Sequence, residues 1–252
     1  MSDLGVWEGF KNQIRHHLNT DNINRFASWP IMQQTMVAGV DRVEYDYLLK
    51  SPRWDKWNEV LPESILKPNS YEYFPRSSTN NMHHAYSLDL MMEYMGDELE
   101  NYGTIIEFGG GYGNTCRLSR CWYFTSDYYI YDIPELIEIQ RHYLSMNGIV
   151  GSVHFLSGDD KVPELENNKG LFLGLWSISE TPQSERAQML ENLRFFECDK
   201  IFLAMGGTFF NENNLDWLNK DIIPRLDALG YQHHLERIAH GSEMFYFMAK
   251  KG

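Results

Sequence analysis

The pattern of apolar and polar positions divides the chain into two textures. Up to about residue 100 it is helical, with aromatic clusters and proline breaks and little that reads as a buried strand. Leu4, Trp7, Phe10 or Lys11, Ile14 and Leu18 recur at the spacing of one helix face. A second helical periodicity runs from about Met82 through Leu88, Met91, Met92 and Met95, directly ahead of the first strand-like run. Between them, Ser51-Pro-Arg-Trp and Lys67-Pro-Asn-Ser read as loops with short turns.

From Gly103 onward short apolar runs alternate with helical stretches, the pattern of a mainly parallel sheet covered by helices on both faces. The expected strands are Thr104 to Phe108, Tyr128 to Tyr131, Ser152 to Leu156, Leu171 to Trp176 and Ile201 to Met205. The expected helices are Asn114 to Cys121, Pro134 to Asn147, Pro182 to Phe195 and Leu215 to Leu229, the last kinked or split at Pro224. Thr181 suits an N-cap with Pro182 behind it, and Gly148 and Gly230 stand where helices end. Two closing runs, Tyr231 to Ile238 and Glu243 to Ala249, joined through His240-Gly-Ser, predict an antiparallel hairpin. The division predicts an N-terminal helical segment, 1–100, laid over an α/β domain, 101–252.

Composition narrows the function classes. At 252 residues the chain suits one large α/β domain with an appendage. No run approaches the roughly 20 apolar residues of a membrane span, and the amino terminus lacks a basic and apolar leader, so the expectation is a soluble, cytoplasmic protein without membrane insertion. Cys116, Cys121 and Cys198 are odd in number and form no C-x-x-C pair, which argues against a disulfide framework or structural zinc. A net charge of −13 disfavours nucleic acid as substrate, while leaving room for a small anionic one held by a few arginines.

The candidate chemistry centres on Ile105-Ile-Glu-Phe-Gly-Gly-Gly-Tyr-Gly-Asn114, an apolar strand entering a glycine turn and then a helix. The dinucleotide fingerprint G-x-G-x-x-G fails in both registers, its third position being Asn114 or Cys116. The Glu107 carboxylate beside the turn repels a pyrophosphate and attracts an ammonium, a sign that fits S-adenosylmethionine. Asp132 ends the second strand, about 20 residues beyond the glycines, where a carboxylate can accept both ribose hydroxyls. Asp159, after the third strand, can accept from an adenine amino group.

With these residues in place the chain resembles the class I S-adenosylmethionine-dependent methyltransferases, and within them the sugar O-methyltransferases. The narrower resemblance lies in Glu107-Phe-Gly-Gly-Gly-Tyr-Gly113, Tyr131-Asp-Ile-Pro-Glu135 with Gln140-Arg-His-Tyr-Leu144, and Ser177-Ile-Ser-Glu180, and spans roughly Asn80 to the end. It implies a Rossmann-like class I methyltransferase sheet with helices on both faces, in which one strand of the terminal hairpin inserts back into the sheet. It also implies a cofactor wall of Glu107, Gly109, Gly110, Gly111, Asn114, Asp132, Ile133, Asp159 and Ser177, with a sugar hydroxyl, nucleotide-linked or in a surface polysaccharide precursor, as acceptor. The aspartate-rich motif of metal-dependent sugar methyltransferases is missing.

Methyl transfer to a hydroxyl calls for a general base. Glu180, just past the fourth strand, is one candidate; His83 or His84 is the other, with no more than one of the adjacent pair expected to enter the site because neighbouring side chains diverge. Ser179 and His240 join Tyr73 and Arg76, among the aromatics Tyr71 and Phe74, as acceptor-binding candidates. A divalent metal held by Glu180, one histidine and a substrate diol stays open as an alternative. Trp7, Trp29, Trp54 and Trp57 suit packing or subunit contacts in a homo-oligomer. The rival readings are a methyltransferase for an amine or non-sugar hydroxyl, a nicotinamide-dependent oxidoreductase, and a silent protein retaining only the nucleoside pocket.

Overall fold

The computed structural model describes residues 3–36, 42–63, 70–165, 169–209, 212–238 and 243–252. The expected turn at Lys67-Pro-Asn and the hairpin tip with His240 lie outside these residues.

Seven strands build the central sheet: β1 (Thr104–Phe108), β2 (Asp127–Tyr131), β3 (Val153–Leu156), β4 (Gly170–Leu175), β5 (Lys200–Gly206), β6 (Tyr231–Arg237) and β7 (Met244–Lys251). They lie in the order β3-β2-β1-β4-β5-β7-β6. The first five are parallel; β7 runs antiparallel to β5 and β6, so the terminal hairpin does insert one strand into the sheet. Alternation along a strand assigns side chains to opposite faces. In β5, Ile201, Leu203 and Met205 enter one apolar cluster, and Phe202 and Ala204 the other. β4, covered on both faces, is buried from end to end.

One face carries α5 (Thr79–Met95), α6 (Asn114–Cys121) and α7 (Pro134–Met146), the other α8 (Gln183–Asn192), α9 (Asn214–Trp217) and α10 (Ile223–Ala228). The N-terminal segment, α1 (Asp3–Thr20), α2 (Pro30–Met36), α3 (Arg42–Leu48) and α4 (Trp54–Val60), shares the first of these cores. Phe26 packs its ring against Tyr112 and Tyr143, and Trp57 against Trp122. The described residues of the N-terminal segment are therefore fastened to the sheet layer by their own apolar side chains.

Several boundaries differ from the expectation, each for a local reason. The helix expected near Met82 begins at Thr79, because Ser78 caps it by accepting from the Asn81 amide at 3.2 Å. The first hundred residues, in which little reads as a buried strand, contain a short hairpin of Ser70–Tyr71 with Phe74–Ser78, which buries Tyr71 and Phe74. β4 stops at Leu175, since Trp176 has φ 74°, a left-handed value costly for a side chain of its size. The cap of α8 is Pro182, not Thr181, whose hydroxyl instead donates to the Ser177 carbonyl at 3.0 Å; the helix ends at Asn192, and Arg194 is left-handed before a short 3-10 turn. The final helix is divided: Leu218–Ile222 form a π-helical turn between α9 and α10, just ahead of Pro224.

Candidate active site

β1 has β2 on one side and β4 on the other, so the chain leaves the sheet in opposite directions at this point, which is where open α/β sheets form a crevice. A cavity of about 440 Å³ lies there, within the roughly 300–1,000 Å³ common for small-molecule sites. Its floor is the glycine turn after β1, its sides Asp132 beyond β2 and Trp176, Ser177 and Glu180 beyond β4. Trp7, Thr35 and Met36 close it from the N-terminal segment, and His83 and His84 line it from α5.

The turn is held by contacts that leave no room for side chains. Ser177 Oγ donates to the Gly109 carbonyl at 3.0 Å, and a Cβ on Gly109, whose φ is 71°, would lie 2.0 Å from that oxygen. A Cβ on Gly110 would meet Ile130 at 2.6 Å, and one on Gly111 would meet the Met36 sulfur at 3.1 Å.

Two carboxyl groups flank the turn. Glu107 is 1% exposed, accepts from the Tyr128 hydroxyl at 2.8 Å, and is pushed up to about 7 by burial. Asp132 accepts from the Ile133 amide at 2.8 Å, the Gly111 amide at 3.2 Å and Gln140 Nε2 at 2.8 Å; burial again raises it to about 7 against these bonds. Gln140 also donates to the Gly111 carbonyl at 2.9 Å, tying α7 to the turn. A third carboxyl, Glu180, is raised to about 7 by burial, and its side chain has no hydrogen bond among the described residues. Its backbone carbonyl accepts from Trp7 Nε1 at 3.2 Å.

The histidine doublet departs from the expectation that only one member would enter, for both line the cavity. Their rings lie 6.0 Å apart. His83 bridges Glu44 Oε1, 2.9 Å from its Nδ1, and Trp176 Nε1, 3.3 Å from its Nε2, and stacks on the Trp176 ring. His84 Nδ1 lies 2.9 Å from Asn114 Nδ2.

Other expected site residues stand elsewhere. Asp159 is exposed and does not line the cavity. Tyr73, 43% exposed at the tip of the N-terminal hairpin, stacks on Tyr45, and Arg76 donates to Asn58, so neither reaches the site. The physical reason is the hairpin itself, which turns these two side chains outward while burying Tyr71 and Phe74. Ser179 is buried behind the wall, donating to the Trp176 carbonyl at 2.5 Å and accepting from the Gly206 amide at 3.3 Å. Asn114 and Ile133 support the turn from behind: Asn114 is fully buried in α6, and Ile133 meets Asp132 through its amide. Sequence reasoning passed over Trp7 and Met36 as site residues, and over Glu44, which is buried against His83. Of the three only Trp7 carried a signal, its place in a helical periodicity, and helical spacing does not say which part of the sheet a helix covers.

The chemistry of the cavity wall is one-signed. It holds Glu107, Asp132 and Glu180 but no lysine or arginine among the described residues. Such a wall fits a ligand with an ammonium and a sulfonium and a ribose whose hydroxyls need acceptors, and it does not fit a pyrophosphate. No group of three metal-ligating side chains occurs among the described residues.

No protein-family model and no curated protein matches the sequence. Solved structures match by fold. The methyltransferase domain of bacterial CtHen1-C is 10% identical with a TM-score of 0.51, over 68% of this chain and 97% of that one. A SAM-dependent methyltransferase from Aquifex aeolicus is 17% identical with a TM-score of 0.46, over 65% and 88%. The mitomycin 7-O-methyltransferase MmcR is 9% identical with a TM-score of 0.44, over 96% and 67%. The fold is thus the Rossmann-like fold of the class I SAM-dependent methyltransferases, with the sheet order and inserted β7 described above. Among the described residues no helix is long and apolar enough to cross a membrane.

Proposed function

We propose that this chain is an S-adenosylmethionine-dependent O-methyltransferase acting on a hydroxyl of a polyhydroxylated small molecule, a sugar being the acceptor that fits best. The observation that carries the reading is the pair Glu107 and Asp132 at the glycine turn, in a cavity free of cationic side chains among the described residues.

Bound there, S-adenosylmethionine supplies an electrophilic methyl carbon for in-line displacement. Asp132, already accepting from two backbone amides and Gln140, holds the ribose hydroxyls as a carboxylate. Glu107 contributes the negative charge that favours the ammonium. Gly109 to Gly111 let the backbone form the floor. Glu180 takes the proton of the acceptor hydroxyl at a carboxylate oxygen, its affinity raised to about 7 so that it ionises at neutral pH yet still binds a proton usefully. Trp7 and Met36 exclude water from above.

A neutral acceptor suits the cavity better than a phosphorylated one, because its described lining carries no lysine or arginine and Arg76 lies away from it. A nucleotide-linked sugar would have to extend toward Arg237, which lines a neighbouring cavity that shares Met244 with this one.

The test is calorimetry with S-adenosylhomocysteine, followed by mass spectrometry of sugars, nucleotide sugars, phenols and amines incubated with S-adenosylmethionine. Binding together with gain of one methyl group on a sugar hydroxyl supports the reading. Methylation confined to amines would remove the hydroxyl acceptor, and absence of binding would remove the cofactor.

A further inference from the structure

The two adjacent histidines are locked in opposite tautomers, and the locks are made of groups whose hydrogen-bonding roles are fixed. Asn114 Oδ1 accepts from Arg117 Nε at 3.2 Å and from the Tyr143 hydroxyl at 3.3 Å. Its amide nitrogen is therefore the end that faces His84 Nδ1, at 2.9 Å, and an amide nitrogen can only donate. The lone pair of His84 sits on Nδ1 and the proton on Nε2. That Nε2 is not among the buried unpartnered atoms, has no hydrogen bond among the described residues, and belongs to a ring lining the cavity.

His83 is the mirror case. The indole of Trp176 donates only, so the Nε2 atom it reaches at 3.3 Å must accept, which leaves the proton on Nδ1 facing Glu44 Oε1 at 2.9 Å. Both nitrogens of His83 are engaged; it positions the Trp176 wall.

We infer that His84 is a fixed, neutral hydrogen-bond donor that recognises a second oxygen of the acceptor, one adjacent to the hydroxyl being methylated. The inference rests on the methyl-transfer reading and narrows its substrate class: the acceptor carries two neighbouring oxygens, one giving its proton to Glu180 and the other accepting from His84 Nε2. A vicinal diol, or a hydroxyl beside a ring or carbonyl oxygen, meets this requirement; an isolated hydroxyl does not. The low proton affinity of His84, depressed to about 3 chiefly by burial and further by the Arg117 charge, agrees with a ring that stays neutral and donates rather than one that takes protons.

The experiment has two arms on the full chain. Long-range proton–nitrogen correlation spectra of ¹⁵N-histidine-labelled protein with S-adenosylhomocysteine at pH 8 should show His84 as the Nε2–H tautomer and His83 as Nδ1–H, with His84 keeping its tautomer when the pH is lowered to 6. An Nδ1–H or protonated His84 overturns the inference without touching the methyltransferase reading. In the second arm, methyl hexopyranosides and their monodeoxy analogues are assayed with wild type, His84→Phe and His84→Gln. Loss of the neighbouring oxygen should lower kcat/KM roughly tenfold in wild type, the scale of one hydrogen bond. His84→Phe should lose about as much on the diol and nothing further on the deoxy analogue, while His84→Gln, which keeps an amide donor, should recover most of the rate. Retained S-adenosylhomocysteine binding shows that each variant is folded. Penalties that add in His84→Phe overturn the inference; a panel in which no hydroxyl gains a methyl group overturns the functional reading, and the acceptor role of His84 with it.

Discussion

Replacing Glu107 by glutamine should make the free protein more stable and the ligand-binding site weaker. Glu107 is buried, and its carboxyl is raised from 4.5 to about 7. A carboxyl whose folded proton affinity exceeds its unfolded one destabilises the fold when ionised: the native state holds the proton longer, so stability falls as pH rises from about 4.5 through about 7 and the loss is complete above that. At about 1.4 kcal/mol per pH unit the full loss is about 3 kcal/mol. Glutamine stays neutral, and its carbonyl can still accept from Tyr128, whose hydroxyl lies 2.8 Å from the carboxylate in the wild type. At pH 8 the variant should therefore gain up to about 3 kcal/mol; with roughly 2–4 °C per kcal/mol for a chain of this size, that is a rise of about 6–12 °C in Tm. At pH 5, close to the unfolded value, the gain should shrink to less than about 1 kcal/mol. S-adenosylhomocysteine should bind roughly 10- to 100-fold more weakly, since a hydrogen bond to a charged group contributes about 1.5–3 kcal/mol. Calorimetric melting at pH 5 and 8 with binding titrations at pH 8 reads all three quantities. A variant that is less stable at pH 8, or that binds as tightly as wild type, would refute the reasoning.

Glu180→Gln should leave S-adenosylhomocysteine affinity within about twofold while lowering kcat by roughly 10²–10⁴; in wild type kcat should climb with pH through about 7 as Glu180 ionises, a limb that the variant's pH profile lacks. Gly109→Ala should abolish ligand binding and lower Tm, because its Cβ would fall 2.0 Å from Ser177 Oγ at a left-handed φ, and adding Ser177→Gly should restore part of the Tm. Trp7→Ala removes the indole over the Glu180 carbonyl, and initial-rate kinetics should show acceptor KM rising with Tm nearly unchanged.

The parallel sheet and its terminal hairpin were legible because buried strands and the helices between them write strong periods into the chain; β1 and α6 fall where the sequence predicts them. The exceptions are places where a tertiary contact overrode the local pattern, as at Trp176, whose indole is drawn to His83 while its backbone takes up a left-handed turn. The acidic ends of β1 and β2 could be placed because strand ends and the glycine turn set them directly. Asp159 could not, because a short polar loop fixes no side-chain direction, and Tyr73 and Arg76 could not, because the hairpin that turns them outward is too short to leave a period. Glu44 gave no signal: its partner His83 lies 39 residues away, and nothing in the neighbourhood of either announces the pairing.

The central claim, that the glycine turn between two carboxyl groups holds S-adenosylmethionine, is tested most directly by side-by-side calorimetric titration with S-adenosylhomocysteine and with reduced nicotinamide dinucleotide at pH 8. The account predicts saturable one-to-one binding of the former, weakened in Asp132→Ala, and none of the latter. Binding of the dinucleotide, or of neither ligand, would contradict it.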